Sequence, residues 1–302
     1  MKMGLLTAAF PDMSLEEVAA WAAAEQFETI EVACWPASGG EMRRYAGVCH
    51  IDVDHLDPET VKKTVDAYGL QISALAYYPN NLHPDEEHRQ AVNNHLRKVI
   101  DAAQLLGVDV VGTFIGNDKD KPLPENLRRF RDIWPPLVHY AGERGVKIGI
   151  EICPMTFSGD EWPGGQNLAS TPAAWDEMFS AIPDANFGLN LDPSHLLWLM
   201  IDIERAVYEY AGRIFHVHAK DTEIRRDGLY RHGILSAGRG WQVPRLPGLG
   251  EINWPRFLAA LYGAGYDGVI SIENEDRSFE GSADLVKRGF RLARDALRPY
   301  IK

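Results

Sequence analysis

Four short segments of this 302-residue chain end in residues able to hold a cation or move a proton. They are KIGIEIC at 147–153, FGLNLD at 187–192, IFHVHAKD at 214–221 and GVISIE at 268–273. Each is a brief apolar run rich in β-branched or aromatic residues, which reads as a buried strand. Alternate residues of a strand face opposite sides. Ile148, Ile150 and Ile152 therefore oppose Gly149, Glu151 and Cys153, and Phe187, Leu189 and Leu191 oppose Gly188, Asn190 and Asp192. Phe215, Val217 and Ala219 oppose His216, His218 and Lys220, while Ile270 and Ile272 oppose Val269, Ser271 and Glu273. If the apolar faces pack against helices, Glu151, Asp192, His218 and Glu273 converge on the other side. A single inward carboxylate ordinarily forms a structural salt bridge. Three of them within a few ångströms repel strongly at low dielectric, so they retain protons or a cation neutralises them. Three carboxylates and one imidazole suit a divalent metal: Mn²⁺ first, then Mg²⁺ or Co²⁺, with Zn²⁺ usually preferring more nitrogen or sulfur. His216 shares the inward face with His218, about 6.6 Å deeper, and competes as the imidazole donor.

These segments need a scaffold that brings their ends together. Further strands are expected near Gly4–Ala9, Thr29–Cys34, Gln71–Tyr77 and Val110–Gly116, with amphipathic helices between all of them. Ser14 and Glu17 form a capping box, and Asp57-Pro58 and Thr171-Pro172 place a cap before proline at a first helical position. Gly107, Gly145, Gly212 and Gly265 sit where helices should stop. Eight strand–helix units in a chain of this length predict an α/β fold, a closed (β/α)8 TIM barrel, as one domain over residues 1–302. An open doubly wound sheet competes, but no GxGxxG follows the first strand. Two connections, 154–170 and 222–252, are long and leave the C-terminal ends of strands, the face on which barrels carry their sites.

The chain resembles the sugar phosphate isomerase/epimerase superfamily, the xylose isomerase-like barrels (AP endonuclease family 2). The resemblance rests on IEICP at 150–154, LDPSH at 191–195, HVHAKD at 216–221, LPGLGEINW at 246–254 and GYDGVISIENED at 265–276. It implies a metal held by Glu151, Asp192, His218 and Glu273, with His218 preferred over His216 because the family pattern is His-x-Lys-Asp. It also implies that His195 contacts substrate near the metal, and that the activity is a metal-dependent epimerisation or isomerisation of a keto sugar or keto polyol. A metal that binds a hydroxyl and the adjacent carbonyl acidifies the neighbouring C–H. Glu151 and Glu273, from different strands, could remove and return that proton, the acid/base role these glutamates have in related epimerases. If a leaving group stands two carbons from the carbonyl, the same proton removal gives β-elimination. The alternative expectation is therefore a lyase of this fold, a C-glycoside deglycosidase on 3-keto-glycosides or a keto-inositol dehydratase.

Other residues are weighed for substrate contact. Lys220 could hydrogen-bond a carboxylate or a substrate oxygen, or form a salt bridge with Asp221 or Glu273. Glu31, inward on the second strand, could meet substrate or line the barrel. Aromatic residues crowd the expected mouth (Trp35, Tyr77, Tyr78, Phe114, Trp198), and Trp162 and Trp241 in the long connections are favoured for stacking on a sugar. Arg225, Arg226, Arg231, His232, Arg239 and Arg245 cluster after the seventh strand. They read either as a solvated or subunit-contacting loop or as a site for an anionic group, with Arg245 favoured.

Composition sets the boundaries. Lys and Arg total 31 against 43 Asp and Glu, a net charge of −12, which argues against nucleic acid or an anionic membrane as partner. Phosphodiester hydrolysis, as in the endonuclease IV branch, needs further histidines on the early strands, whereas His83, His88 and His95 fall in a loop and a helix. Three scattered cysteines, Cys34, Cys49 and Cys153, give no disulfide framework and suggest a reducing compartment. No apolar stretch approaches a membrane span. The expected setting is cytoplasmic, with a small carbohydrate as partner; family habit implies a homo-oligomer, and elimination-type relatives can need a small partner subunit.

Overall fold

The computed structural model describes residues 1–37, 46–154, 165–234 and 240–301. Eight parallel strands close into a barrel: β1 (Lys2–Leu6), β2 (Thr29–Ala33), β3 (Gln71–Ala76), β4 (Val110–Thr113), β5 (Lys147–Glu151), β6 (Phe187–Leu191), β7 (Ile214–Ala219) and, after a two-stranded hairpin β8 (Asp221–Ile224) and β9 (Gln242–Arg245), β10 (Val269–Ile272). The hydrogen-bonded order runs from β1 through β2 to β7 and returns through β10 to β1, so no barrel edge is left open. The expected (β/α)8 TIM barrel is the fold.

Helices cover the outside: α1 (Leu15–Ala24), α2 (Pro58–Asp66), α3 (Glu86–Leu106), α4 (Leu123–Gly142), α5 (Pro172–Ala181), α6 (Pro193–Trp198), α7 (Ile203–Glu209), α8 (Arg226–His232), α9 (Trp254–Gly263) and α10 (Ala283–Leu297). Their starts follow the local chemistry. Ser14 and Glu17 form the capping box of α1, and Asp57 and Thr171 accept the Thr60 and Ala174 amides before prolines at the first turns of α2 and α5. Gly107, Gly145 and Gly265 take positive φ at helix ends, whereas Gly212 instead lies in a 3₁₀ turn.

The apolar strand faces behave as the two-residue period requires. Ile148, Ile150, Phe187, Leu189, Leu191, Val217, Ile270 and Ile272 are all buried in the layer between sheet and helices. The register then stacks the polar faces: Glu151 pairs with Asn190, Asn190 with His216, and Ser271 with His218. The strand expected at Ile214–Asp221 is divided. It leaves the barrel after Ala219, and Asp221–Ile224 turns away to pair antiparallel with Gln242–Arg245. The fourth strand also ends early, at Thr113 rather than Gly116. Gly116 has φ +86°, and a Cβ there would meet the Asn81 and Leu82 amides.

Candidate metal centre

Glu151 closes β5, Asp192 follows β6, His218 is near the end of β7 and Glu273 follows β10. One donor atom from each of these four residues lies within 4.8 Å of the others. Asp192 and His218 are fully buried, and Glu151 nearly so. The Glu273 side chain keeps 12% of its surface exposed, so the cluster is open from its side.

Each side chain is held by its back. His218 Nε2 lies 2.9 Å from Glu31 Oε2. The same Glu31 accepts Tyr78 Oη at 2.6 Å and Ser271 Oγ at 2.9 Å. His218 Nδ1 then faces Glu151 Oε1 at 3.7 Å and Glu273 Oε2 at 3.5 Å, without a hydrogen-bond partner. Asp192 caps α6, its Oδ1 accepting the Ser194 amide at 2.8 Å and its Oδ2 turned inward. His195, one turn into α6, accepts Trp198 Nε1 on Nδ1 at 3.4 Å. Its Nε2 stands 3.3 Å from Asp192 Oδ2 and 3.6 Å from Glu151 Oε1, again without a hydrogen bond. Buried polar atoms are normally satisfied. Here Asp192 Oδ2, His195 Nε2 and His218 Nδ1 are all left without hydrogen bonds around one small space.

Charge points the same way. Lys220 is the one buried ammonium among the described residues of this cluster: its Nζ lies 2.7 Å from Glu273, 3.1 Å from Asp192, 3.1 Å from Glu275 and 3.9 Å from Glu151. Burial lowers the Lys220 pKa, but these carboxylates more than reverse it. Burial also raises Glu151, and the nearby His195, His218 and Lys220 outweigh it, holding Glu151 ionised. Glu273 is pushed up to about 7, by burial and by the charges of Glu151 and Glu275 against Lys220. Glu31, Glu273 and Glu151 likewise raise His218 against its burial, so the cluster draws in positive charge. The donor set fits a divalent cation: three carboxylates, and an imidazole whose far nitrogen is oriented by a carboxylate.

The remaining expectations divide. Glu31, fully buried, is engaged by His218, Tyr78 and Ser271 and not directed at the mouth. Burial raises its pKa, but the charge of His218 and the hydrogen bonds of His218 and Tyr78 bring it down to about 2. His216 lies deeper, with Nδ1 3.2 Å from Asn190 Oδ1 and Nε2 3.2 Å from Ser73 Oγ. Asp221 does not pair with Lys220; it accepts Trp254 Nε1 and the Thr222, Gly248 and Ile252 amides. Arg245 stands on β9, where Glu223, Asp276 and Ser278 take its guanidinium. Trp241 is buried against Trp198 and Ile224, a packing position with no open face for a sugar. Trp162 and Arg239 lie outside the described residues. His83 is in the β3–α3 connection, and His88 and His95 are on α3, away from the cluster's strands.

Five participants carry roles that spacing alone did not assign. Tyr78 and Asn190 buttress Glu31 and His218, with Asn190 Nδ2 3.0 Å from Tyr78 Oη and 3.0 Å from His218 Nε2. Ser271 was inward by parity but is polar in only one atom, so nothing marked it. Glu275, two residues beyond Glu273, continues the same period past the end of β10. Cys153 joins Glu151 and His195 in a second group of donor atoms within 4.8 Å.

Comparison with known proteins identifies the family and the fold. The family model for the xylose isomerase-like TIM barrel matches residues 19–296. The uncharacterized protein YfiH of Bacillus subtilis (strain 168) is 27% identical, covering 100% of this chain and 99% of its own length. Inosose isomerase of the same organism is 26% identical over 68% of this chain and 66% of that protein, and inosose dehydratase of Lacticaseibacillus casei is 27% identical over 72% and 74%. Among solved structures, the IOLI protein with a bound zinc atom superposes with a TM-score of 0.74 at 19% identity, covering 99% of each chain. D-psicose 3-epimerase in the presence of D-fructose gives 0.71 at 16% identity, covering 98% and 99%. These two structures share the fold. Among the described residues no helix is long and apolar enough to cross a membrane. The chain belongs to the xylose isomerase-like TIM barrel family.

Proposed function

We propose that the protein is a divalent-metal-dependent epimerase or isomerase that moves a proton at the carbon beside the carbonyl of a keto sugar or keto polyol. Glu151, Asp192, His218 through Nδ1, and Glu273 would hold the metal, with Mn²⁺ the first choice. The observation that carries this reading is the convergence of these four donors, three of them buried, with His218 Nδ1 left bare by the Glu31 contact behind it. Bound there, the metal supplies Lewis-acid polarisation of the carbonyl.

The chain's own residues supply the proton chemistry. Glu151 ends β5 and Glu273 follows β10, so the two carboxylates reach the cluster from different strands. Two carboxylates placed on either side of one carbon can act as an acid/base pair, one taking a proton while the other gives one back. Lys220 Nζ, 2.7 Å from Glu273, fixes that carboxyl and can release it as charge shifts. His195, fixed by Trp198, presents Nε2 beside Asp192 and Glu151, where a substrate hydroxyl would sit.

The similarity to an inosose isomerase and an inosose dehydratase supports a keto polyol as substrate and keeps elimination as a second reading. Incubation of the Mn²⁺-loaded protein with keto-inositols, ketohexoses and 3-keto-glycosides, followed by product analysis, tests both. An epimer or shifted carbonyl supports the first reading. An unsaturated product with water or aglycone released supports the second. No turnover of any class with metal bound contradicts both.

A further inference from the structure

Away from the candidate centre, the β2–α2 connection brings two thiols together. Cys34 follows β2, and Cys49 lies on the returning limb; they form an isolated antiparallel bridge. The hydrogen bonds of that bridge belong to the neighbours, His50 N to Ala33 O at 2.9 Å and Trp35 N to Val48 O at 3.3 Å. Cys34 and Cys49 are therefore a non-hydrogen-bonded pair, the arrangement with Cα atoms about 4.5 Å apart and both side chains on one face. A disulfide requires Cα atoms about 4.4–6.8 Å apart, so the backbone already meets its spacing. Both residues are free thiols. Cys34 is fully buried, its backbone pinned by its N–H to Ala76 O at 2.9 Å and by His95 Nε2 on its carbonyl at 2.8 Å. Cys49 is half-buried, so it is the thiol a solvent-borne reagent can reach.

We infer that Cys34 and Cys49 are a reversible redox site, converted to an intramolecular disulfide by a small disulfide of the glutathione class. The Cys49 thiolate attacks one sulfur of the oxidant and expels one thiolate, leaving a mixed disulfide. The Cys34 thiolate then attacks the Cys49 sulfur and expels the second. Both cysteines lose their protons, the pair is oxidised by two electrons, and the oxidant is reduced to two thiols. Burial, with the charges of Asp52 and Asp54, raises Cys49 to about 11, and burial also raises Cys34 well above its ordinary value. Attack is consequently slow near neutrality and speeds up about tenfold per pH unit. The dithiol gains nothing from thiolate stabilisation, which favours the oxidised form at equilibrium.

The test equilibrates the full chain at pH 8 with glutathione buffers that run from wholly reduced to wholly oxidised, then alkylates remaining thiols and maps peptides without reduction. The site predicts that two of the three thiols disappear together, a Cys34–Cys49 linked peptide appears, and Cys153 stays alkylated. Cys153→Ser keeps the link, and Cys49→Ser, at a half-buried position, abolishes it while leaving the fold. The melting temperature rises on oxidation by on the order of 5 °C and falls back with dithiothreitol. Three free thiols across the whole range, a glutathione adduct at Cys49 that never resolves, or a link through Cys153 would each overturn the assignment.

Discussion

His218 turns Nε2 to Glu31 at 2.9 Å and thereby leaves Nδ1 facing Glu151 and Glu273, at 3.7 and 3.5 Å. The buried carboxylate behind the imidazole fixes its orientation. A carboxylate behind a metal-binding histidine typically accounts for 10–100-fold in affinity. Glu31→Gln keeps the shape and removes the charge, so cation affinity should fall by about that factor. Mn²⁺ titration followed by electron paramagnetic resonance reads it, with a melting curve to confirm the fold. Unchanged affinity would mean that Glu31 only fills the barrel.

Lys220 and a cation neutralise overlapping carboxylates, since its Nζ touches Glu273 and Asp192. Removing one partner of a buried ion pair costs about 3–5 kcal/mol. Lys220→Met should therefore lower the stability of metal-free protein by an amount of that order, and of metal-loaded protein by much less. Thermal melts with chelator and with Mn²⁺ compare the two. Equal losses in both states would separate Lys220 from the cation.

His216 gives a pH signature. Burial lowers its pKa to about 4, opposed by the charge of Glu31. An unfolded imidazole titrates near 6.5. The folded state keeps His216 neutral while the unfolded chain takes up a proton, so its contribution is whole above about pH 6.5 and is lost as pH falls towards about 4. The loss amounts to about 3 kcal/mol at most. Urea unfolding at pH 7 and pH 5 should show a smaller difference in His216→Asn than in the parent chain. An identical difference would contradict the buried neutral imidazole.

Asp221 holds the start of the hairpin rather than the centre. It accepts Trp254 Nε1 at 2.8 Å and the Gly248 and Ile252 amides at 3.0 Å each. Asp221→Ala strands these buried donors, at about 1–3 kcal/mol each. Calorimetry should show one of the larger losses for any single substitution in this chain, about 4 kcal/mol or more. A loss below about 1 kcal/mol would show that water or a shifted chain satisfies them.

The convergence of these side chains is legible because strand periodicity is local. Two-residue alternation alone put Glu151, Asp192, His218 and Glu273 on inward faces, and the barrel closes those faces together. Arg245 shows where such reasoning stops. Its partners follow from the β8–β9 hairpin, whose second strand contains Pro244 and reads as loop, yet whose register sets Arg245 opposite Asp221 and within reach of Glu223. Tyr78 shows the same limit across the barrel: it looked like a stacking ring, but its hydroxyl reaches Glu31 on β2. Register shifts at Ile30/Glu31 and Leu189/Asn190 adjust which side chains meet, and no spacing along one strand reveals them.

The most direct test of proton transfer is solvent exchange. Metal-free protein, reloaded with Mn²⁺, is incubated in D₂O with keto-inositols and ketohexoses, and NMR follows deuterium entering the carbon beside the carbonyl. The account predicts exchange that needs the metal and falls by at least about 10²-fold in Glu151→Gln and Glu273→Gln, with the metal still bound at saturating concentration. Exchange that proceeds equally with chelator present, or undiminished in both variants, would contradict it.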